Sequence, residues 1–390
     1  MRTWMSRGVL TLGALLTAGG TAANPAFPQG VEFDSKAAKI TLGGRIQMQA
    51  RTSSCSDFPV SAPCAEQEPT FDWFLRRARL EIGIQFDDFV EGKFSPDFAP
   101  NSSEFSDIAL KDAYGQLNFS RSARLRFGQF KRPFDGFQLT SSTEIRTIER
   151  GIDIPGVSSS TAVSFDELTE KFNLSSHNVG IQLSGRTESG LIEYWVGTFN
   201  GNSAGDNGAD TDGKQLVGRV QVSLQAADLP LKLAVAGAVT NAPFTNASGA
   251  RDGRYYTDFE IYAQLGDYNG GPHLQAGVFL GDSPLQDEFG GSLDLAAGDD
   301  FASAWATQVV GSVKIPLRDS RRFTAIEPVL RVTYADPNRN TGDDAAWGIT
   351  PGVQVFFASR QKVAFNWDFL VLQGNRRNVN SFKAQYQFYY

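Results

Sequence analysis

The chain has 390 residues, 41% hydrophobic and 20% charged, with 39 Gly, 30 Phe, 3 Met and 2 His, so it is neither disordered nor collagen-like. A formal charge of −7 and a pI near 5.1 argue against a whole-molecule match to nucleic acid, which would call for a basic face. Beyond the first thirty residues no apolar run approaches the ~18 residues of a spanning helix, and mean hydropathy is −0.25, which excludes a helical membrane protein but not one that crosses with strands.

At the N-terminus, Arg2 and Arg7 precede an apolar stretch from Gly8 to Leu16, and Thr21-Ala22-Ala23 supplies small residues. That order is the order of an export signal, with cleavage expected after Ala23; the alternative is a short buried helix. Residues 1–23 are therefore read as a signal peptide, 24–39 as an N-terminal mature segment and 40–390 as the main domain. Export gives the cysteines a meaning. Cys55 and Cys64 lie in a segment rich in Ser, Pro and Asp, and in an oxidising compartment they are expected to form a loop disulfide. Zinc would normally need four ligands, and His177 and His273 offer no paired spacing, so neither metal nor cofactor is expected.

From Ile40 to Arg51 every even position is apolar or small and every odd one is polar or Gly, a period of two that predicts a strand. The alternation returns in Arg77 to Phe86, Asp112 to Phe119, Ala123 to Phe130, Asn178 to Arg186, Leu216 to Gln225 and Tyr255 to Leu265. With more aromatics it fills Thr324 to Tyr334, Trp347 to Phe357 and Val363 to Val371. It recurs last in Phe382, Ala384, Tyr386, Phe388 and Tyr390. Short connections alternate with long Gly/Asn/Asp-rich ones. The long ones are Ser53 to Thr70, Ala99 to Ser106, Lys131 to Ser176, Asn200 to Gly213, Asn241 to Gly253, Gly281 to Asp300, Ala335 to Ala345 and Gln373 to Asn380.

Eight long loops imply sixteen strands. Spread over the residues after the leader, that is about 23 per strand plus connection, against the ~9–11 needed to cross a membrane. The expected fold is all-β, a 16-stranded antiparallel transmembrane β-barrel with short periplasmic turns and long extracellular loops. Lipid offers the backbone no hydrogen-bond partner, so strands crossing it must close on themselves. A secreted β-sandwich also alternates, but sixteen long strands would need more than one domain and no linker is visible.

The stretch from Arg76 to Arg150 resembles the phosphate-selective porin O/P family. The residues that carry the resemblance are Arg76-Arg77-Ala78-Arg79-Leu80, Lys111-Asp112-Ala113-Tyr114, and Leu125 through Phe134, followed by Leu139-Thr140-Ser141-Ser142 and Ile148-Glu149-Arg150. The resemblance implies a trimeric outer-membrane porin whose third loop folds into the lumen and narrows the pore. In phosphate-selective members, arginines and lysines inside the barrel guide the anion.

The charges read independently of the family. Opposite the apolar face stand Arg45, Arg51, Arg77, Arg79, Arg124, Arg126, Arg186, Arg219 and Arg331, and a lumenal row of guanidinium groups lowers the barrier for anions. We take Arg45, Arg77, Arg79, Arg124, Arg126 and Arg219 as pore-lining candidates. Yet Glu81, Glu91, Asp112, Asp258, Glu260, Glu327 and Asp368 share that face, and paired charges would merely line a wet channel. The third loop, Lys131 to Ser176, is too long for an ordinary connection. Phe134, Phe137, Leu139, Ile145, Ile148 and Ile154 could anchor it to a wall, with Lys131, Arg132, Arg146 and Arg150 as basic constriction candidates and Asp135, Glu144 and Glu149 as partners that could cancel them. The alternative is a surface loop making trimer contacts. The function expected is passive diffusion of small hydrophilic solutes across a bacterial outer membrane, with anions preferred and phosphate or polyphosphate as candidate cargo. The expected partners are two further copies of the chain, outer-membrane lipid and lipopolysaccharide, and small anions, without nucleic acid. A non-selective porin and an adhesin or structural barrel remain alternatives. No motif places an enzyme nucleophile beside either histidine.

Overall fold

The computed structural model describes residues 31–34, 38–53, 70–99, 108–154, 162–201, 214–226, 228–245, 251–283, 301–318, 320–340, 342, 344–358, 360–373 and 378–390. The expected signal peptide and the pair Cys55 and Cys64 lie outside the described residues. A short β1 (Val31–Asp34) precedes β2 (Lys39–Ser53), β3 (Thr70–Gln85), β4 (Val90–Asp97), β5 (Ala109–Ser120) and β6 (Ala123–Lys131). Helices α1 (Gly136–Leu139) and α2 (Phe165–Lys171) follow, then β7 (His177–Arg186), β8 (Ile192–Asn200), β9 (Lys214–Ala226), β10 (Leu229–Thr245), β11 (Arg251–Leu265) and β12 (Gly271–Ser283). The chain ends with β13 (Ala302–Pro316), β14 (Ala325–Asp336), β15 (Ala346–Ala358), β16 (Gln361–Leu372) and β17 (Val379–Tyr389).

From β2 onward each strand pairs antiparallel with the next, and β17 returns to β2 from Lys383 opposite Arg51 to Tyr389 opposite Arg45. The sheet is therefore a closed barrel of sixteen strands with no free edge, the form a lipid environment demands. β1 lies outside that count. It pairs with Lys39 to Leu42 of β2, so the segment expected to precede the barrel contributes a strand of its own. Strands β10 and β11 also run on, pairing as far as Thr245 with Arg251, through much of the connection expected at Asn241 to Gly253.

Burial separates the two faces of the wall. Ile46 and Met48 are exposed while Arg45, Gln47 and Gln49 between them are buried. The same holds on β11, where Phe259 and Ile261 face outward and Asp258, Glu260 and Tyr262 inward. Apolar outside and polar inside is the reverse of a soluble sandwich and suits lipid.

Two irregularities change what enters the lumen. Gln47 pairs with Arg77 but Met48 with Leu75, so Arg76 is an extra residue in β3, and Arg76 and Arg77 both project inward. In β5 the register passes from Asp112 opposite Ser95 to Leu110 opposite Pro96, leaving Lys111 as a second inserted residue. Each bulge re-aims a side chain that strict alternation would send toward lipid.

Residues 132–154 and 162–176, between β6 and β7, lie inside the barrel. Their backbone is held by inward side chains from β2, β11, β14, β15, β16 and β17, including Gln47, Glu260, Arg331, Gln354, Lys362, Asn366 and Gln387.

Candidate functional site

Third-loop residues carry the apolar contacts. Phe134, Phe137, Phe165, Leu168 and Phe172 are buried against Ala234, Ala236, Ala238, Ala304, Ala306, Tyr262 and Phe279 of β10 to β13. Phe279 is the hub, with the rings of Phe134, Phe165 and Phe172 edge-on to it at 6.2, 6.5 and 5.7 Å. Small residues make the seat possible. A Cβ on Gly277 would stand 2.7 Å from the Phe137 ring. Further along, Ile152, Ile154 and Val163 pack with Ala346, Leu370, Leu372 and Val379. Of the expected anchors, Phe134, Phe137, Ile145, Ile148 and Ile154 are buried, whereas Leu139 is exposed.

Polar contacts fix the entrance to the loop. Asp135, in the left-handed region at φ 61°, caps α1 by accepting from the backbone N–H groups of Phe137 (2.9 Å) and Gln138 (3.2 Å) and from Thr169 Oγ1 (2.6 Å). An Asp tolerates that conformation and suits a cap. Glu260 accepts from the backbone N–H groups of Asp135 (2.9 Å) and Gly136 (2.7 Å) and from Arg219 Nη1 (2.8 Å). Burial, with Asp166 and Glu260 nearby, holds the Asp135 carboxyl well above the usual range. Asp166 is pushed up to about 7 by burial and by Glu170, against the pull of Arg150.

Charged side chains cluster on the opposite wall, β2 to β6. Arg45 pairs with Glu81 and donates to Ser142 Oγ (2.6 Å), which ties the loop to β2. Arg77 donates to Gln47 Oε1 (2.7 Å) and, with Arg76, to Glu149. Arg79 pairs with Asp97 at 2.6 Å, and Lys93 with Asp112 at 3.0 Å. Arg126 donates to Gln116 Oε1 (2.9 Å) and lies over the Tyr114 ring at 4.2 Å. Arg124 is half-buried on the same face near the short-turn end.

The candidates thus fall into two groups. Arg45, Arg77, Arg79, Arg124 and Arg126 share the charged wall with Arg150 close by. Arg150 is half-buried, donates to the carbonyls of Phe137 (3.0 Å) and Thr140 (2.6 Å), and feels the like charge of Arg79. Lys131 donates to the Gln138 carbonyl. The others support the loop. Arg219 is buried behind α1, Arg132 ties the two ends of the loop through the carbonyls of Asn173 and Ser175, and burial pushes its guanidinium down to about 10. Arg146 is buried between Glu327 (3.1 Å) and the Asp267 carbonyl (2.7 Å), near the short turn joining β11 and β12.

Period-two reading missed Arg76 and Lys111, because only the bulges turn them inward. It also passed over Lys93 and Lys362, and it set Lys383 on the polar face of the last strand without naming it a candidate; Lys383 pairs with Asp368 at 2.6 Å. Tyr268 went unremarked too, although Lys314 Nζ stands 4.4 Å from its ring and Arg146 5.1 Å. Among the described residues no group of His, Cys, Asp and Glu is arranged to hold a metal.

Comparison with solved structures gives the fold. The outer membrane channel DcaP of Acinetobacter baumannii is 11% identical with a TM-score of 0.61, covering 92% of this chain and 99% of its own. An anion-selective porin from Comamonas acidovorans is 13% identical with a TM-score of 0.58, over 90% of this chain and all of its own. The trimer form of OmpT of Vibrio cholerae is 12% identical with a TM-score of 0.55, over 91% of this chain and all of its own. No curated protein matches the chain significantly. The family model "Phosphate-selective porin O and P" matches residues 48–258, more than half of the chain and the whole of the charged wall from Met48 onward. With a closed sixteen-stranded barrel around an inserted third loop, the chain belongs to the phosphate-selective porin O and P family and is an outer-membrane channel protein.

Proposed function

We propose that this channel passes small hydrophilic anions by passive diffusion, and that the loop-covered wall leaves β2 to β6 as the surface a solute meets. The observation that carries the reading is the segregation of charge. Arg45, Arg76, Arg77, Arg79, Lys93, Lys111 and Arg126 gather on one wall, while alanines and Phe279 line the other beneath the loop. Fixed cations on a low-dielectric wall raise the local concentration of anions, and guanidinium groups hold their charge at every working pH. In this reading Arg79, Arg126, Lys131 and Arg150 bias passage, and Arg219, Arg132 and Arg146 hold the constriction in place. The trimer is proposed from the likeness to OmpT, with the short turns in the periplasm, the long loops and their Cys55–Cys64 disulfide toward lipopolysaccharide, and residues 1–23 removed on export.

The test is the zero-current potential of the purified protein in a planar bilayer under a potassium chloride gradient, repeated with phosphate. An anion-selective potential is expected, and block of chloride current by phosphate would extend the reading to phosphate or polyphosphate. A neutral or cation-selective potential would retire the anion preference, and absence of conductance would favour a structural barrel. One observation favours a non-selective porin instead: Arg45, Arg79 and Lys93 each have a carboxylate partner on the same wall.

A further inference from the structure

Glu149 of the third loop is bound by the barrel wall as a ligand would be. Its Oε1 accepts from Gln49 Nε2 (2.6 Å) and Arg76 Nε (2.7 Å), and its Oε2 from Arg77 Nη2 (3.0 Å) and Arg76 Nη2 (3.2 Å). Arg76 grips both oxygens with one planar fork, the arrangement by which guanidinium recognises carboxylate. Gln49 and Arg77 are buried and set in place by their own neighbours. Gln49 Nε2 also donates to Gln385 Oε1 (2.8 Å), and Arg77 Nη1 to Gln47 Oε1 (2.7 Å). Arg76 differs, with its side chain 31% exposed against 7% for the Glu149 side chain, so it is the one donor of the set that reaches water.

The loop backbone at this point does not depend on the Glu149 side chain. Asn366 Oδ1 accepts from the Ile148 N–H (2.5 Å), and the Glu149 carbonyl accepts from Arg331 Nη1 (2.8 Å) and Thr147 Oγ1 (2.6 Å). The backbone therefore keeps three holds of its own if the carboxylate leaves its donors.

We propose that Glu149 is a displaceable internal occupant of an oxyanion site built from Gln49, Arg76 and Arg77, and that a carboxylate-bearing solute passes by exchanging with it. This rests on the anion-diffusion reading above. The protein's own carboxylate is the measure of fit: two oxygens in one plane and four donors, one of their side chains partly exposed. A tethered competitor acts at an effective concentration of roughly millimolar or above, so it raises the solute concentration needed to occupy the site without changing the site. Weak occupancy suits a channel, because a solute held tightly cannot leave.

The experiment measures chloride current through single channels of the wild type, Glu149→Gln and Glu149→Asp while acetate, and separately inorganic phosphate, is titrated in. Glu149→Gln keeps the size of the side chain and removes the competing charge, so acetate should reach half-block at a concentration at least tenfold lower than in the wild type. Adding Arg76→Gln to that variant should abolish the gain. An unchanged half-blocking concentration in Glu149→Gln overturns the proposal. Should that variant fail to insert, Glu149→Asp carries the test, since its shorter side chain withdraws the carboxylate from the donors and should lower the half-blocking concentration; no change there overturns the proposal equally. Phosphate blocking Glu149→Gln at lower concentration than acetate overturns the carboxylate assignment. The wild-type zero-current potential separates the two readings. A cation-selective wild type retires anion preference alone, and an anion-selective wild type without gain in Glu149→Gln retires the exchange site alone.

Discussion

On β10 to β13 the inward positions carry Ala234, Ala236, Ala238, Ala302, Ala304 and Ala306 around Phe279, whereas on β2 to β6 the equivalent positions carry Arg45, Arg77, Arg79, Lys93 and Arg126. Both walls present apolar residues to the outside, so lipid makes the same demand of each. The inside differs because its solvent differs. One wall is solvated by the third loop, and small residues there leave room for phenylalanines that each contribute roughly 1.5–3 kcal/mol on burial. The other takes polar rather than apolar contacts, from its own ion pairs and from Ser142 and Glu149 of the loop, so it keeps charge. A barrel interior is therefore not one environment, and the strands beneath an inserted loop are packed as a protein core is packed.

Emptying the apolar seat should break the contrast most. Phe137→Ala together with Phe165→Ala removes two rings 5.3 Å apart, each worth roughly 3–5 kcal/mol when truncated in a core. The loop should leave the wall while the barrel persists, with a several-fold rise in single-channel conductance and rapid protease cleavage within residues 132–176. Unchanged conductance would mean that the loop does not set the narrowest section.

A matched pair of arginine substitutions probes the walls directly. Arg219→Gln leaves Glu260 buried without its charge partner, and breaking such a pair costs roughly 3–5 kcal/mol. Because Glu260 also holds the first turn of α1, the loss should appear as increased protease sensitivity of the loop. Arg126→Gln removes the same charge from the other wall, where its partner is the neutral Gln116, and should cost about 1 kcal/mol or less while lowering anion selectivity. Equal effects on stability would erase the distinction between the walls.

This contrast also explains which features could be read in the sequence. From Ile40 to Arg51 one face is apolar and the other polar, so the period of two is visible and the strand follows. In β10 both faces are apolar, with Leu233, Val235 and Val239 exposed between buried alanines, and only the structure separates them. The barrel and its sixteen strands were accessible because lipid and loop spacing leave strong compositional traces, whereas loop length alone left the third loop either inserted or on the surface and its insertion came from the family resemblance. The site was accessible only in part. Arg76 breaks the alternation by a bulge that no spacing announces, and Arg219 sits at a regular inward position whose burial depends on a loop some eighty residues away. Arg45, Arg77 and Arg79 follow the period and share one wall.

Acidity acts on the loop side of the comparison. Asp166 is buried, and its carboxyl is pushed up to about 7 by that burial and by Glu170; Glu149 and Asp135 add like charge, while Arg150 and Arg331 oppose the shift. Undocked, the group would return to the ordinary value near 3.8. A carboxyl raised in the docked state penalises docking increasingly as pH climbs from about 4 to about 7, and the penalty is constant above that. The loop should therefore be held more tightly at pH 5 than at pH 8, read as quieter single-channel current at pH 5. Asp166→Asn should shrink the difference, with Asp135, whose buried carboxyl is also held up, carrying the remainder; an undiminished difference in that variant would place the titrating group elsewhere.

The smallest effect belongs to the margin where loop and charged wall meet. Arg51 and Asp153 approach only to 3.8 Å, and the Asp153 side chain is 36% exposed, so screening leaves the pair worth roughly 0–1 kcal/mol. Asp153→Asn should therefore leave thermal stability almost untouched. It should still raise anion selectivity slightly, because it deletes a partly exposed negative charge facing Arg51. That gain should fade as potassium chloride rises from about 0.1 M to 1 M and the screening length contracts from roughly 10 Å to 3 Å. A selectivity change that survives high salt would show that Asp153 meets the solute directly, and would extend the charged wall onto the loop itself.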